Sequence, residues 1–372
     1  MKVDCNRENL ANAFALAASV APARSPKEIL QFVKLTATES GIVLTATDLE
    51  VGIRLELSEG IDVLAEGNAL LSVSRTNSIL RETSDETLTL ETEGNGVRVT
   101  GSSGRSKFKL PGANPDEFPR VVGFDEEKYH EVPAELFRQL VQRTVFATDA
   151  ESGRFALGGV LLEMEESSVI AIGTDGRRLA KMTGTGTSIG EHKTSGNSTI
   201  VPTRAIQLMQ RAVDKDDVVQ LAARENDLMV RTSRCMIYSR LVEGRDPNWR
   251  QVFPSREGAV QIDLTVGPLY AALRQAAIVA DQESRGIDFT FSEGTLRMEA
   301  NTAEIGESSV DLPINYSGES VTLTMDHRYV SDFCKVLDAE GAMVMEIDGA
   351  AAPVLLSTED GYSYVIMPMS RK

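Results

Sequence analysis

Gly173-Thr174-Asp175-Gly176 is a short polar turn between two strand-like runs, and the chain repeats it as Ala46-Thr47-Asp48-Leu49 and Ala300-Asn301-Thr302-Ala303. Asp48, Asp175 and Asn301 are separated by 127 and 126 residues. Working outward from each turn, one plan recurs. An amphipathic helix opens near Arg7, Pro133 and Pro268. Paired strands lead to the turn, a second helix follows near Ser74, Pro202 and His327, and hairpins close the segment. A repeat this long is a domain, not a solenoid turn. The expected fold is therefore α+β, three tandem copies of one unit with two helices against antiparallel sheets. The expected domains are 1–125, 126–255 and 256–372.

The local signals agree. Leu10, Phe14, Ala17 and Ala18 share one helical stripe, as do Leu136, Leu140, Val141 and Thr144, and then Leu208, Met209 and Val213. Pro133 and Pro202 read as first-turn prolines. Residues 87–91, 97–100 and 320–324 alternate as strands, with hairpin turns at 93–96 and 292–294. Thr183–Asn197, rich in Gly, Ser and Thr, reads as a mobile loop. Pro111–Pro119 and Glu243–Trp249 read as one crossover used twice, leading to Val121 and Val252.

Composition narrows the class. The 372 residues are 42% hydrophobic and 25% charged, enough to fill a core in each domain. Cys5, Cys235 and Cys334 are odd in number and outside any Cys-x-x-Cys pattern, and no run of roughly 18 apolar residues exists. The expectation is a reducing, cytoplasmic setting with no membrane span. The net charge is −17, unevenly spread: −5, −1 and −11 over the three segments. The six helix windows run the other way, with ten basic side chains against four acidic. If the helices share a surface, that surface is basic on an acidic body, and such a surface attracts phosphates without reading sequence.

Catalytic signals are absent. His130, His192 and His327 are scattered, and no metal-ligand, phosphate-loop or dinucleotide pattern occurs. No cofactor, metal or catalytic residue is expected. Asp48 and Asp175 recur at equivalent positions with Asn301 in the third copy. A turn whose Asx side chain bonds its own backbone explains all three better than a carboxylate pair does. From the residues alone, a hydrolase using these aspartates and a repeat scaffold unrelated to nucleic acid both stay open.

Several motifs resemble one family in order. Gly173–Ala180 and Tyr364–Met369 resemble the middle-domain and C-terminal signatures of the bacterial DNA polymerase III beta subunit, the replicative sliding clamp. Ser102–Phe108, Arg154–Gly159 and Ser239–Gly244 resemble it too, and the likeness runs the whole chain. The resemblance implies a head-to-tail homodimer whose six clamp domains close a ring, helices inward, around double-stranded DNA without sequence preference. It implies peptide-borne partners: the polymerase alpha subunit, the clamp loader and other replication proteins. Carried over by motif, the peptide pocket is Leu157, Thr174, Gly176, Arg177, Leu179, Pro247, Val365, Met367, Pro368 and Met369. Gln251 stands where an arginine is common, and the tail ends Ser370-Arg371-Lys372 instead of a short Arg-aliphatic pair. The dimer contact falls on Phe108 and Leu110 against Ile278 and Val279, with Arg75 facing Glu304 or Glu307. The DNA-facing side chains are Arg24, Arg75, Arg81, Arg138, Arg143, Arg204, Arg211 and Arg274.

Overall fold

A computed structural model describes residues 1–151, 155–194, 199–214, 217–244, 248–254 and 258–370. Two compact units emerge. The first gathers Met1–Phe137, Gly186–Thr194 and Arg204–Leu241, and the second Arg138–Thr185, Ser195–Thr203 and Val242–Lys372. Three sequence repeats therefore give two compact units, with the middle repeat divided between them. The cause is strand pairing across repeat borders.

In the first unit a five-stranded sheet runs β5 (Ile61–Ala65), β1 (Lys2–Asn6), β7 (Thr87–Glu93), β8 (Gly96–Gly101), β9 (Lys107–Leu110). A nine-stranded sheet runs β14 (Thr187–Ile189), β10 (Tyr129–Pro133), β16 (Val218–Ala223), β17 (Asp227–Arg231), β18 (Cys235–Arg240), β4 (Val51–Leu57), β3 (Gly41–Thr47), β2 (Phe32–Thr38), β6 (Gly67–Ser72). In the second unit an eight-stranded sheet runs β15 (Ile200–Pro202), β11 (Gly159–Glu165), β12 (Ser168–Thr174), β13 (Arg178–Thr185), β26 (Tyr362–Ile366), β25 (Val354–Ser357), β24 (Ala342–Ile347), β19 (Val260–Thr265). A four-stranded sheet runs β22 (Gly306–Pro313), β21 (Thr295–Thr302), β20 (Gly286–Ser292), β23 (Val321–Asp326). All pairings among the described residues are antiparallel, and β2 and β20 alternate buried and half-buried residues, as sheets with one covered face do.

Two pairings carry the architecture. β4 of the first repeat pairs with β18 of the second, Ile53 opposite Ile237. β13 of the second pairs with β26 of the third, Leu179 opposite Val365. These strands correspond by repeat. The hairpins β3–β4, β12–β13 and β21–β22 each end their first strand on a threonine, Thr47, Thr174 and Thr302, and resume after three residues.

Among the described residues the six α-helices are α1 (Arg7–Ala18), α2 (Val73–Glu82), α3 (Ala134–Gln142), α4 (Thr203–Ala212), α5 (Val266–Ala276) and α6 (His327–Lys335). α1 buries Leu10, Ala13, Phe14, Ala17 and Ala18 against α2, β3 and β4. Asn6 caps it, accepting from Asn9 N at 3.0 Å. The α3 stripe is shifted from the sequence reading. Ala134, Phe137, Leu140, Val141 and Thr144 are buried, while Leu136 is half-exposed. Pro133 and Pro202 each close a strand one residue ahead of the helix instead of opening its first turn. Residues 183–194 are not all loop, since they supply the end of β13 and all of β14, and 195–197 lie outside the described residues.

The threonines also correct the turn register. Thr47 Oγ1 donates to Val51 O at 2.8 Å, and Thr174 Oγ1 to Arg178 O at 2.7 Å. Asp48 Oδ1 accepts from Glu50 N and Val51 N, and Asp175 Oδ1 from Arg177 N and Arg178 N. These are Asx turns. Asn301 is not their counterpart. It lies inside β21 opposite Glu307 and donates to that carboxylate, so the third copy puts Ala303 where the aspartates stand.

Candidate functional site

The second unit brings most of the sequence-selected pocket together. Leu157, Thr174, Gly176, Arg177, Leu179, Val365 and Met367 line one cavity of about 170 Å³, joined by Arg178 and Val252. The β13–β26 pairing supplies the floor, where Leu179 and Val365 are almost fully buried. They belong to a core cluster with Leu161, Ile172, Ile200, Trp249 and Leu355. Met367 stays 42% exposed at the mouth, held by its backbone N donating to Arg177 O at 2.9 Å. Gly176 sits at φ +87°, and no atom would crowd a Cβ there, so the backbone conformation alone favours glycine. Pro368 and Met369 line a separate hollow of about 220 Å³ with Thr322, Thr324 and Ala350. Pro247 lies outside the described residues. Gln251 is exposed and does not line the cavity, where its neighbour Val252 does.

Arg178 was not selected from sequence, yet it organises the site. Its guanidinium donates to Asp175 Oδ2 at 3.0 Å, Asp332 Oδ2 at 2.7 Å, Phe146 O at 2.7 Å and Tyr364 Oη at 3.3 Å. It also lies over the Tyr329 ring at 4.6 Å. Burial opposes its charge, but Tyr364, Asp332 and Asp175 more than offset this and raise its pKa above the ordinary value. One planar fork thus ties the pocket turn to α6, a task lysine cannot reproduce. Arg178→Ala is expected to cost about 3 kcal/mol, because Asp175 would lose its guanidinium partner in a largely buried setting and Asp332 would be left with Lys335. Urea unfolding checks this, and Arg178→Lys should recover less than half.

The pocket exists at one repeat border and is filled at the other. By the threonine register Gly52 corresponds to Leu179, and Val121 follows the first crossover as Val252 follows the second. Without a side chain at Gly52, Val121 settles into that place. It is 8% exposed, with Cγ1 only 2.8 Å from where a Cβ on Gly52 would stand. Val252 instead lines the cavity together with Leu179 and stays 40% exposed.

The arginines chosen for a DNA-facing surface divide. In the first unit Arg24, Arg75, Arg81, Arg204 and Arg211 are exposed. Arg81 pairs with Glu82 at 2.8 Å, and Arg204 reaches Asp48 and the carbonyls of Ser19 and Val20. In the second unit Arg274 is exposed beside Tyr270 and Arg138 is half-buried. Arg143 departs from expectation. It pairs with Asp360 at 2.6 Å over the Tyr362 ring, with 11% of its side chain exposed. Its charge is spent inside the fold.

Of the interface residues, Phe108 is 36% and Ile278 76% exposed. Leu110 is withdrawn into the core at 9%, opposite Val97, so it offers little to a partner. Val279 is half-buried, its carbonyl accepting from Thr302 Oγ1 at 2.8 Å.

The three cysteines are free and buried, and burial pushes each thiol up to about 12, where it is inert. Among the described residues no group of three or more His, Cys, Asp or Glu is arranged to hold a metal ion, and no helix is long and apolar enough to cross a membrane. The histidines are not all scattered in space: His130 and His192 meet, Nδ1 to Nδ1, at 2.7 Å.

Comparison with known proteins covers the whole chain. Residues 1–122, 131–248 and 250–370 match the models of the N-terminal, central and C-terminal domains of the DNA polymerase III beta subunit. The beta sliding clamp of Chlamydia muridarum is 27% identical over 369 residues, covering 99% of both chains. That of Haemophilus influenzae is 27% identical over 376 residues, covering 99% of this chain and all of its own. A crystal structure of a sliding clamp, DNA polymerase III subunit beta, from Pseudomonas aeruginosa bound to griselimycin superposes with a TM-score of 0.91 at 25% identity, covering both chains fully.

Proposed function

The chain belongs to the DNA polymerase III beta subunit family, and from that premise we propose how it works as a DNA sliding clamp. It is a non-catalytic processivity subunit of DNA replication that pairs with a second copy, encircles duplex DNA and tethers the polymerase. Its working place is the cytoplasm, and its other partners are the clamp loader and proteins carrying clamp-binding peptides.

The observation that carries this reading is the pattern of sheet edges. β4, β13 and β22 are equivalent strands, and so are β9, β18 and β26. Two of the three possible pairings, β4–β18 and β13–β26, are made inside one chain. β22 and β9 remain as the edges of their sheets. An edge strand offers a row of unpaired backbone donors and acceptors. Here β22 of one copy supports a head-to-tail partner in β9 of the next, the third instance of a pairing already used twice. Two copies so joined have no edge of this kind left, which favours a closed ring over a growing filament.

Duplex passing through such a ring is held by side chains that touch phosphate, and by no base readout. Arg24, Arg75, Arg211 and Arg274 are the strongest candidates because they are exposed. Arg81, Arg138 and Arg204 rank after them for their partners or burial, and Arg143 is set aside. The peptide site is the cavity between Leu179, Val365 and Met367, while Pro368 and Met369 offer a second, separate hollow. Apolar walls with a flexible thioether at the mouth suit varied peptide tails.

Topological linkage is the test. Protein loaded on nicked circular DNA should stay through gel filtration in high salt and leave when the circle is linearised. Retention that ignores linearisation would overturn the reading. With Arg24, Arg75 and Arg274 changed to alanine, binding of the free protein to DNA should depend less steeply on salt. The log–log slope should flatten by about 0.9 for each phosphate that is no longer neutralised. The same change at Arg98, Arg231 and Arg297 on the strands should leave the slope unaltered.

A further inference from the structure

His130 and His192 form a buried pair that no part of clamp action uses. They are 0% and 5% exposed. His130 sits in β10, opposite Ser188 of β14 and Leu221 of β16. His192 follows the tight turn at Gly190 and Glu191, both at positive φ, that ends β14. Its ring stands edge-on to His130, with centroids 5.0 Å apart.

The hydrogen bonds determine the protons. The backbone N–H of Ala223, at the end of β16, donates to His192 Nε2 at 3.1 Å, so that nitrogen carries a lone pair. A neutral His192 then has its proton on Nδ1. That proton is donated across 2.7 Å to His130 Nδ1, which must also be unprotonated. One arrangement of two neutral rings satisfies both bonds. A third proton has nowhere to go in this hydrogen-bonded chain. On His192 Nε2 it faces the Ala223 N–H, and on His130 Nδ1 it faces the His192 N–H. Either way one bond is lost.

The described charged groups around His192 are engaged elsewhere or exposed. On β10, Glu131 accepts from Gln220 and Tyr129 packs on Phe124. Beyond β16, Arg224 is engaged by Asp227 and Glu126. Glu191 and Lys193, which flank His192, are exposed. Burial first and His130 second hold the His192 pKa below its ordinary 6.5.

We propose that the His130–His192 pair is an acid-sensitive latch: neutral, it ties β14 and its turn to the sheet at β10 and β16, and a proton releases that edge. β14 has only three residues, and besides its backbone pairing with β10 the bond from Ser188 Oγ to His192 O at 2.9 Å ties it to the same turn. Release would expose the outer edge of β10, the strand that runs directly into α3. The sign follows from the depressed pKa. The latch is at full strength above pH 6.5 and weakens as pH falls from there through the folded value.

Hydrogen exchange of the full-length protein, corrected for intrinsic rate, reads the latch directly. Between pH 7.5 and 5.5, protection over 187–192 and at Ala223 should fall at least tenfold, while the β11–β12 hairpin is unchanged. A variant with His130→Phe and His192→Leu should lose the pH step. Equal protection at both pH values, or a step that survives in the variant, would overturn the proposal. Should the variant fold poorly, an NMR titration of the wild-type rings decides instead. Both rings should be neutral at pH 7, with His192 protonated at Nδ1 and no ring of the pair titrating at or above 6.5. Either ring charged at pH 7 would refute the latch.

Discussion

Met367→Asp is expected to abolish binding of a clamp-binding peptide, with at least a hundredfold loss of affinity. Met367 stands 42% exposed at the mouth of the cavity whose floor is Leu179 and Val365. An apolar peptide side chain seated there would bury the new carboxylate without a partner, at a cost of about 3 kcal/mol or more. The change is at a surface position, so the fold should survive. Melting temperature and the mass of the dimer should match wild type. Fluorescence anisotropy with a labelled polymerase tail measures the effect, and unchanged affinity would remove Met367 from the site. Truncation is the poorer probe. Val365 and Ile366 are fully buried strand residues, so a cut before them would damage the sheet as well as the pocket.

Phe108→Asp together with Ile278→Asp should turn the protein into monomers. Both side chains are large, apolar and exposed, Phe108 on the edge strand β9 and Ile278 on the single turn after α5 that packs beside β22. If β9 of one copy meets β22 of the next, each carboxylate is buried in an apolar interface, twice per ring. Several kcal/mol per interface raises the dissociation constant by a factor of about a thousand or more. Light scattering at micromolar concentration should then give the 40.4 kDa of one chain instead of twice that mass. Changing Arg75 should do far less, because a rim ion pair is worth roughly 0–1 kcal/mol. A persistent dimer in the double variant would place the interface elsewhere.

The sequence by itself determined the repeat, the helix-and-sheet content and the elements that build each copy. Those signals are local: periodicities of 3.6 and 2, Asx turns at Asp48 and Asp175, and glycines at Gly94 and Gly294. Six of the cavity-lining residues were also legible, because Thr174, Gly176, Arg177, Leu179, Val365 and Met367 sit in two short runs that the β13–β26 pairing joins directly, whereas Val252 was not. Tertiary structure decided what depends on partners distant in sequence. Arg143 and Asp360 are 217 residues apart, and nothing local reveals that this arginine is neutralised inside the fold. Arg178 reaches Asp332 across 154 residues, and His130 reaches His192 across 62. Leu110 looks like a surface residue until Val97 is placed opposite it. The Asn301 register failed for the same reason. A turn is recognised from its residues, but which residue of a strand opens it is set by the cross-strand ladder, and one step along a strand reverses the face.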